Sequence, residues 1–166
     1  MLPHLDAAYN LARWLVRSPQ DAEDVVQEAC LRAVRFASDC REGNARAWLL
    51  KIVRNTAYTF LERARPSELS EEFNETLHVA EQTNIETELL RSADGKLLQE
   101  ALEALPVRLR EIVILRELED LSYKEIAEVL EIPIGTVMSS LARGREQLRE
   151  RLLACRRKGG QRAVRD

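Results

Sequence analysis

LSYKEIAEVLEIPIGTVMSSLARGREQLRER, the stretch Leu121–Arg151, predicts the fold of the C-terminal part of this 166-residue chain. Ser122 is followed three residues later by Glu125, which is the spacing of a capping box and indicates that a helix begins there. The buried side of this helix is expected to contain Ile126, Ala127, Val129 and Leu130. The spacing therefore predicts a short amphipathic helix with a well-defined start.

A turn and a second helix follow. Pro133 has no amide hydrogen to continue the first helix, and Gly135 loosens the backbone. We therefore expect the first helix to end by Ile132 and the second to begin at about Thr136. Two helices joined by such a turn predict a helix-turn-helix.

The second helix has two different faces. Its apolar face is predicted to contain Val137, Leu141, Leu148 and Leu152. Its polar face, at spacings i, i+3, i+4 and i+7, is predicted to contain Thr136, Ser139, Ser140 and Arg143. Short hydroxyls reach phosphates or base edges without blocking approach, and a guanidinium can bind guanine in a DNA major groove. A plain helical hairpin with a solvated outer face remains the alternative.

Composition points to an all-α protein. Hydrophobic residues make up 45 % of the chain, but aromatic residues only 5 %, and there are 6 Gly and 5 Pro. No apolar run is long enough to span a membrane, and the N-terminus lacks the pattern of a secretory signal. We therefore predict a cytoplasmic protein without membrane insertion.

Residue types that carry chemistry are scattered. Cys30, Cys40 and Cys155 are odd in number and far apart, so they predict neither a disulfide framework nor a metal cluster, and any role for them is open. His4 and His78 are isolated from them and from each other. The sequence has no Gly-rich phosphate loop and no nucleophile with a plausible base. We predict no enzyme, no metal, no cofactor and no small-molecule substrate.

Charge is distributed unevenly along the chain, although the net charge is only −3. Residues 65–94 contain eight acidic and two basic residues, whereas residues 141–166 contain nine basic and three acidic residues. A basic segment of this kind is expected near phosphate. The pattern predicts separate parts joined by an acidic segment.

The N-terminal part begins with two predicted amphipathic helices. The stripe of the first contains Leu5, Ala8, Ala12, Leu15 and Val16. Ser18 and Pro19 are typical of a helix start, so the second helix should run from there to about Phe36. Its buried stripe is predicted to be Ala22, Val25, Val26, Ala29, Ala33 and Phe36, and its other side to carry Asp24, Gln27, Glu28 and Leu31. That side is either solvated surface or, because of Leu31, a contact for a partner protein.

A third helix is predicted from about Asn44 to Arg63, after a loop at 37–43. Its core candidates are Trp48, Leu49, Ile52, Val53, Phe60 and Leu61, and a different face groups Lys51, Arg54, Asn55 and Tyr58. Cations beside an amide and a ring suit single-stranded DNA, where phosphates meet cations and unstacked bases meet rings. An ordinary charged face is the alternative.

Pro66 ends that helix, and the domain boundaries follow from the composition. We expect an N-terminal domain of three helices at 1–65, a flexible acidic linker at 66–94 and a C-terminal domain of four helices at 95–155, followed by a basic disordered tail at 156–166. The first two C-terminal helices are predicted to pack through Leu97, Leu98, Ala101, Leu102, Leu105, Val107, Leu109, Ile112, Val113 and Leu118.

Three motifs resemble the extracytoplasmic-function group of bacterial RNA polymerase sigma factors. They are DAEDVVQEACLRAVRF at 21–36, RAWLLKIVRNTAYTFLER at 46–63, and LPVRLREIVILRELEDLSYKEIAEVLEIPIGTV at 105–137 with the following LARGRE. The motifs occur in the family's order, and an acidic spacer of suitable length separates them. The resemblance implies a sigma region 2-like domain, a sigma region 4-like domain and no enzymatic activity.

The resemblance also implies a role for each surface. Asp24, Gln27 and Glu28, with Leu31, are expected to bind core RNA polymerase. The expected contacts with the melted minus-ten element are Arg41, Lys51, Arg54, Asn55 and Tyr58, with Asn55 a candidate for reading a flipped base. The expected contacts with the duplex minus-thirty-five element are Lys124, Thr136, Ser139, Ser140, Arg143 and Arg145. An anti-sigma factor is expected as a further partner.

Some positions depart from the family pattern. Met138 and Ser140 stand where related sequences often have Arg, which should weaken the grip on phosphate and change base preference. Glu131 stands where many helix-turn-helix proteins have Gly, so its backbone should be left-handed or close to it, at a cost of about 1 kcal/mol.

The function that these observations predict is that of a sigma factor, which recognises a bipartite promoter and helps to open it. One alternative is a sigma mimic that sequesters an anti-sigma factor without transcribing. Another is a stand-alone helix-turn-helix repressor, which should bind duplex tightly by itself, although the net negative charge disfavours that.

Overall fold

A computed structural model describes residues 2–41, 43–69 and 93–163 of the chain. These ranges contain seven α-helices and no strand: α1 (Leu5–Val16), α2 (Pro19–Arg35), α3 (Ala45–Ala64), α4 (Ala93–Glu103), α5 (Val107–Val113), α6 (Tyr123–Leu130) and α7 (Ile134–Ala163). The all-α prediction is confirmed. Most of the predicted linker, residues 70–92, lies outside the described residues, and the linker's start forms a short 3₁₀ turn at Pro66–Leu69.

The first three helices pack on one another as an N-terminal unit. Ser18 caps α2 by accepting a hydrogen bond from the backbone amide of Asp21 at 3.4 Å, and Pro19 occupies the first turn, as the sequence predicts. The predicted stripe of α1 is buried from Ala8 onward. Leu11 and Leu50, which lie outside the predicted apolar stripes, are also fully buried.

Phe36 does not belong to the buried stripe of α2. Its side chain is 50 % exposed, because α2 ends at Arg35 and the helical spacing no longer applies at the residue that follows. The prediction of a buried Phe36 is therefore wrong, and the apolar ring lies on the surface.

The last four helices form a C-terminal unit in which α7 packs against α4, α5 and α6. The predicted capping box is present at the start of α6. The Ser122 hydroxyl accepts from the Glu125 amide at 3.1 Å, and the Glu125 carboxylate accepts from the Ser122 amide at 2.7 Å. Val137 and Leu141 of α7 are buried, as their spacing predicts.

The turn between α6 and α7 is made by Glu131, whose φ of 55° and ψ of 46° are left-handed as expected. The helix that follows begins at Ile134, earlier than about Thr136, because the Pro133 carbonyl already accepts from the Thr136 and Val137 amides. Gly135 therefore lies inside the first turn of α7 and does not break the helix. The left-handed residue before Pro133 reverses the chain.

Two other predictions in this unit need correction. A π-helical turn at Ile114–Leu118 follows α5, with the Glu119 amide donating to the Ile114 carbonyl. This wider turn changes the direction of the side chains, so Leu118 is 52 % exposed instead of packed. In addition, α7 continues to Ala163, so residues 156–163 are helical and not a disordered tail.

The two units share one hydrophobic core. Helix α1 packs against α5, and α3 packs against α6. The guanidinium of Arg110, buried at this contact, donates to the Trp14 carbonyl at 2.7 Å and to the Leu105 carbonyl at 3.2 Å. An acidic, polar linker does not by itself specify how the two units are placed relative to each other. The contacts between helices determine that placement.

Candidate polymerase and nucleic-acid interfaces

The acidic side of α2 is fully open. Because α2 buries only its alanine and valine stripe against α1 and α3, the opposite side carries exposed Asp24, Gln27, Glu28 and Leu31. The Glu28 carboxylate pairs with Arg32 one turn later at 2.9 Å. Leu31 is 62 % exposed, and so to a similar degree are Val34 and Phe36. We call these six exposed residues, Asp24, Gln27, Glu28, Leu31, Val34 and Phe36, the α2 surface.

Sequence reasoning missed Val34 and Phe36 as part of this surface. Val34 follows Leu31 by three residues, so helical spacing places it on the same open side and could have identified it. Phe36 was expected in the buried stripe because the end of the helix was not known. An apolar patch bordered by carboxylates and amides is typical of a protein contact, since solvated faces rarely expose large side chains together.

The basic face of α3 brings together Lys51, Arg54, Asn55 and Tyr58 as predicted. Only Asn55 is well exposed, whereas Arg54 keeps 16 % of its side-chain surface and Tyr58 8 %. The guanidinium of Arg54 lies 4.0 Å from the centre of the Tyr58 ring, which is a cation–π contact. Arg41 is exposed in the segment before α3. The residues are assembled, but most of the face is covered.

Glu111 of α5 covers part of this face. Its carboxylate accepts from Nε of Arg54 at 3.1 Å and from Nη2 at 3.3 Å, a two-point contact between a buried carboxylate and a partly buried guanidinium. Burial raises the pKa of Glu111 above its usual range, against the opposing effect of Arg54. The pKa of Tyr58 is also raised, first by burial and then by the negative charge of Glu111.

Three more contacts join α3 and the residue before it to the C-terminal unit. Arg46 binds both the carboxylate of Glu119, at 3.0 Å, and its backbone carbonyl. Lys51 Nζ lies 2.7 Å from Oε1 of Glu131, and this bond lowers the pKa of that carboxyl. The Asn44 amide donates to the Glu128 carboxylate. Sequence reasoning missed these carboxylates, because an acidic residue on an exposed helix face does not specify its partner.

The polar face of α7 is exposed. Thr136, Ser139 and Arg143 are open to solvent, and Ser140 is half-buried. The Ser139 hydroxyl donates to the Thr136 carbonyl at 3.2 Å. Lys124, on the preceding helix α6, is also exposed. Arg145 differs from these residues because its Nε donates a hydrogen bond to the Glu117 carboxylate at 2.8 Å. The predicted duplex-binding residues thus form an accessible surface, with Arg145 engaged in an ion pair.

Among the described residues, we find no helix with the length and apolar content to cross a membrane.

Comparison with known families matches both units. The family Sigma-70 region 2 matches residues 2–66, and the family Sigma-70, region 4 matches residues 95–148. These two matches follow the division into α1–α3 and α4–α7.

Curated proteins similar to this chain are also named as sigma factors. An ECF RNA polymerase sigma factor, SigE of Mycolicibacterium smegmatis, is 37 % identical over 90 % of this chain, which spans 58 % of that protein's length. The ECF RNA polymerase sigma-E factor of Haemophilus influenzae is 34 % identical over 86 % of this chain and 79 % of its own length. The corresponding sigma-E factor of Escherichia coli K12 is 36 % identical, with 77 % and 72 % covered.

Two solved structures resemble the whole arrangement of helices. The sigma factor RpoE in complex with the anti-sigma factor NepR, from Bartonella quintana, aligns with a TM-score of 0.72 and 28 % identity over 91 % of this chain and 92 % of that one. CnrH in complex with the cytosolic domain of CnrY aligns with a TM-score of 0.66 and 23 % identity over 92 % and 84 %, which supports the fold alone. With both regions matched in order and the Haemophilus influenzae and Escherichia coli relatives covered over more than two thirds of their length, the chain belongs to the extracytoplasmic-function (ECF) family of RNA polymerase sigma factors.

Proposed function

We propose that this protein binds core RNA polymerase, directs it to promoters with two separated elements and helps to melt them. The observation that carries the proposal is the presence of region 2 and region 4 on one chain, each with its own polar surface. A stand-alone repressor would need only the C-terminal unit. The proposed protein uses binding energy, and not a catalytic group, to favour the separated strands.

The polymerase contact is assigned to the α2 surface. The apolar side chains of Leu31, Val34 and Phe36 are exposed to water in the free protein. Burying them against a partner contributes a favourable free energy of about 25 cal/mol per Å² of apolar surface. The surrounding Asp24, Gln27 and Glu28 then set orientation and association rate through charge and hydrogen bonding. An apolar centre with a polar border is what a specific protein contact requires.

The DNA contacts are assigned to α3 and α7. Lys51, Arg54 and Arg41 would hold the phosphates of the melted minus-ten strand, while Asn55 reads an unstacked base and Tyr58 stacks beside it. The exposed polar face of α7, with Lys124 of α6, would enter the major groove of the minus-thirty-five element.

An anti-sigma factor is proposed as a further partner. The structure of the Bartonella quintana sigma factor contains an anti-sigma factor, and this chain matches that sigma factor over most of its length. This similarity supports an anti-sigma factor as the regulator of this protein, and its identity can be determined by capture and sequencing.

Run-off transcription tests the proposed function. Purified core polymerase and genomic fragments should give discrete transcripts only when this protein is added. Glu28→Arg should reduce polymerase binding by about tenfold or more, since it reverses a charge inside the α2 surface. Glu100→Arg, an identical charge change at an exposed position of α4, is the matched control and should leave binding unchanged.

Two outcomes would contradict the proposal. If the protein does not associate with core polymerase, the assignment of the α2 surface fails. If it associates but starts no transcript on any fragment, a sigma mimic that sequesters an anti-sigma factor becomes the better description.

A further inference from the structure

An exposed row of apolar side chains runs along the first turns of α7. Ile134, Met138 and Ala142 follow one another at spacings of four residues, which places them in one row on the helix surface. Ile134 is 46 % exposed and Met138 53 %, and Ala142 is also open to solvent. We call these three residues the apolar row. None of them is among the residues proposed to bind the minus-thirty-five element.

A second row lies directly beside the apolar row. It consists of Gly135, Ser139 and Arg143, each one position after a member of the apolar row, and all three are exposed. A Cβ placed at Gly135 would meet no atom of the described residues within 4 Å, apart from its chain neighbours, so the approach to the start of α7 is unobstructed. A DNA groove that receives Ser139 and Arg143 therefore also meets the apolar row.

In the major groove the apolar row has one matching partner. The C5-methyl group of thymine is the apolar group that base pairs present there, whereas the other base edges carry donors and acceptors. Burying a donor or acceptor without a partner costs free energy, so an isoleucine or a methionine disfavours those edges. The thioether of Met138 is flexible and polarizable, and it adapts its shape to a methyl group. The row therefore selects for thymine.

A protein partner fits the apolar row poorly. A specific protein contact buries roughly 800 Å² on each side. The row has three side chains, one of them a single methyl group, and the exposed carboxylate of Glu146 follows at the next position. Arg143 and Arg149 are exposed on the same side of the helix. A narrow apolar row with cations beside it matches a groove, where phosphates border the bases.

We propose that the apolar row of α7 reads thymine methyl groups in the minus-thirty-five element, with Met138 as the principal specificity-determining residue. This inference rests on the proposed function, since it assumes that α7 enters duplex DNA. Neighbouring members of the row lie about 6 Å apart along the helix axis and base pairs about 3.4 Å apart, so the thymines read by Ile134 and Met138 are expected within about two base pairs of each other. Arg143 lies about 140° around the helix from Met138 and reads a different base pair.

Replacement of thymine by deoxyuridine tests the inference, because it removes the methyl group and keeps every hydrogen-bonding group. The probe is a fluorescein-labelled duplex selected from a random pool, once by the full chain alone and once by the chain with core RNA polymerase. Each thymine of the selected duplex is then replaced in turn, and binding is measured by fluorescence anisotropy.

At one or more thymines the replacement should weaken binding by the unchanged protein about fourfold, the effect of one buried methyl group. If every deoxyuridine duplex binds as tightly as its parent, the inference is overturned. A selected duplex without thymine overturns it as well.

Variants of Met138 identify the side chain that reads the methyl group. Met138→Ala should bind the parent duplex about fourfold more weakly and no longer distinguish thymine from deoxyuridine, whereas Met138→Leu, which keeps the apolar volume, should still distinguish them. Leu153→Ala removes a side chain that is 49 % exposed near the other end of α7, and as the matched control it should change neither value. Full discrimination by Met138→Ala contradicts the inference, and so does a loss of polymerase affinity in that variant with discrimination unchanged.

Run-off transcription separates this inference from the proposed function. If the chain starts no transcript with core polymerase but still distinguishes thymine from deoxyuridine, the proposed function fails and the inference survives. If it starts transcripts from promoters whose upstream element tolerates deoxyuridine at every thymine, the inference fails and the proposed function survives. If no duplex is enriched in either selection, α7 does not bind duplex DNA and the inference falls with that assignment.

Discussion

Arg110 is a fully buried charged side chain at the contact between the two units. Its guanidinium donates to the carbonyls of Trp14 and Leu105, two residues that are themselves buried. A buried cation costs free energy to desolvate, so its favourable contribution depends on these hydrogen bonds. The residue couples the end of α1 to the start of α5.

Arg110→Ala should lower the free energy of unfolding by about 3 kcal/mol, because it leaves buried carbonyls unpaired and opens a cavity. The measurement is urea unfolding followed by circular dichroism. Lys96→Ala, at an exposed position of α4, is the control and should change stability little. A loss as small as that of the control would mean that water or neighbouring groups replace the guanidinium.

Asn55 is the well-exposed residue on the basic face of α3, where Lys51, Arg54 and Tyr58 are partly or fully covered. Asn55→Ala should reduce promoter opening by about tenfold, since a two-point amide contact with a base edge contributes on the order of 1–3 kcal/mol. Permanganate footprinting of the melted bases measures opening, and gel filtration with core polymerase measures binding, which should not change. Asn10→Ala, at an exposed position of α1, is the control. Equal loss of opening and polymerase binding would contradict a role in base reading.

At the scale of single elements, local rules account for most helix starts. The capping box of α6 and the Ser18–Pro19 start of α2 both follow from residue types that satisfy free amides at a helix N-terminus. The ends of helices are less well predicted. The π-helical turn at Ile114–Leu118 and the continuation of α7 to Ala163 depend on neighbours that no local pattern contains.

Ser122→Ala should destabilise the C-terminal unit by about 1 kcal/mol, the usual cost of losing an N-cap. The midpoint of thermal unfolding is the measurement, and it should fall by several degrees. Ser139→Ala on α7 is the control, because its hydroxyl only returns a hydrogen bond to Thr136 in the same helix. No difference between the two variants would indicate that packing alone determines where α6 begins.

At the scale of the whole molecule, charge pairs and a shared apolar core hold the two units together. Exposed pairs are screened by salt, whereas buried apolar contacts are not. The pair between Lys51 and Glu131 is open to solvent, and the pair between Arg54 and Glu111 is buried. The molecule therefore has a contact that salt can weaken without unfolding either unit.

Raising the salt concentration from about 0.05 M to about 0.5 M should shift the protein toward a more open form, because the Debye length falls below the span of the interface. Small-angle X-ray scattering measures this as a rise in the radius of gyration above about 15 Å, the value typical of a compact chain of this length. Glu128→Gln with Glu131→Gln should open at lower salt than the unchanged protein. A radius that does not depend on salt would mean that the apolar contacts alone keep the units closed.

The family is already indicated by the sequence, since its three motifs reflect short-range requirements: helix caps, apolar spacing and the grouping of polar residues on one face. For the same reason most residues of the α2 surface, the α3 face and the polar face of α7 could be named in advance. Phe36 was wrongly placed in the core, because exposure at a helix end depends on where the helix stops, and Val34 was missed although its spacing from Leu31 indicates the open side.

What only the tertiary structure decided is which of those faces are open. Glu111, Glu119 and Glu131 are ordinary acidic residues in the sequence, and their pairing with Arg54, Arg46 and Lys51 joins positions far apart in the chain. Such pairing is set by how α3 packs against the C-terminal unit, and no local spacing encodes it. The sequence by itself determined the helices and the chemistry on their faces, and the packing of the two units determined that most of the basic face of α3 is covered.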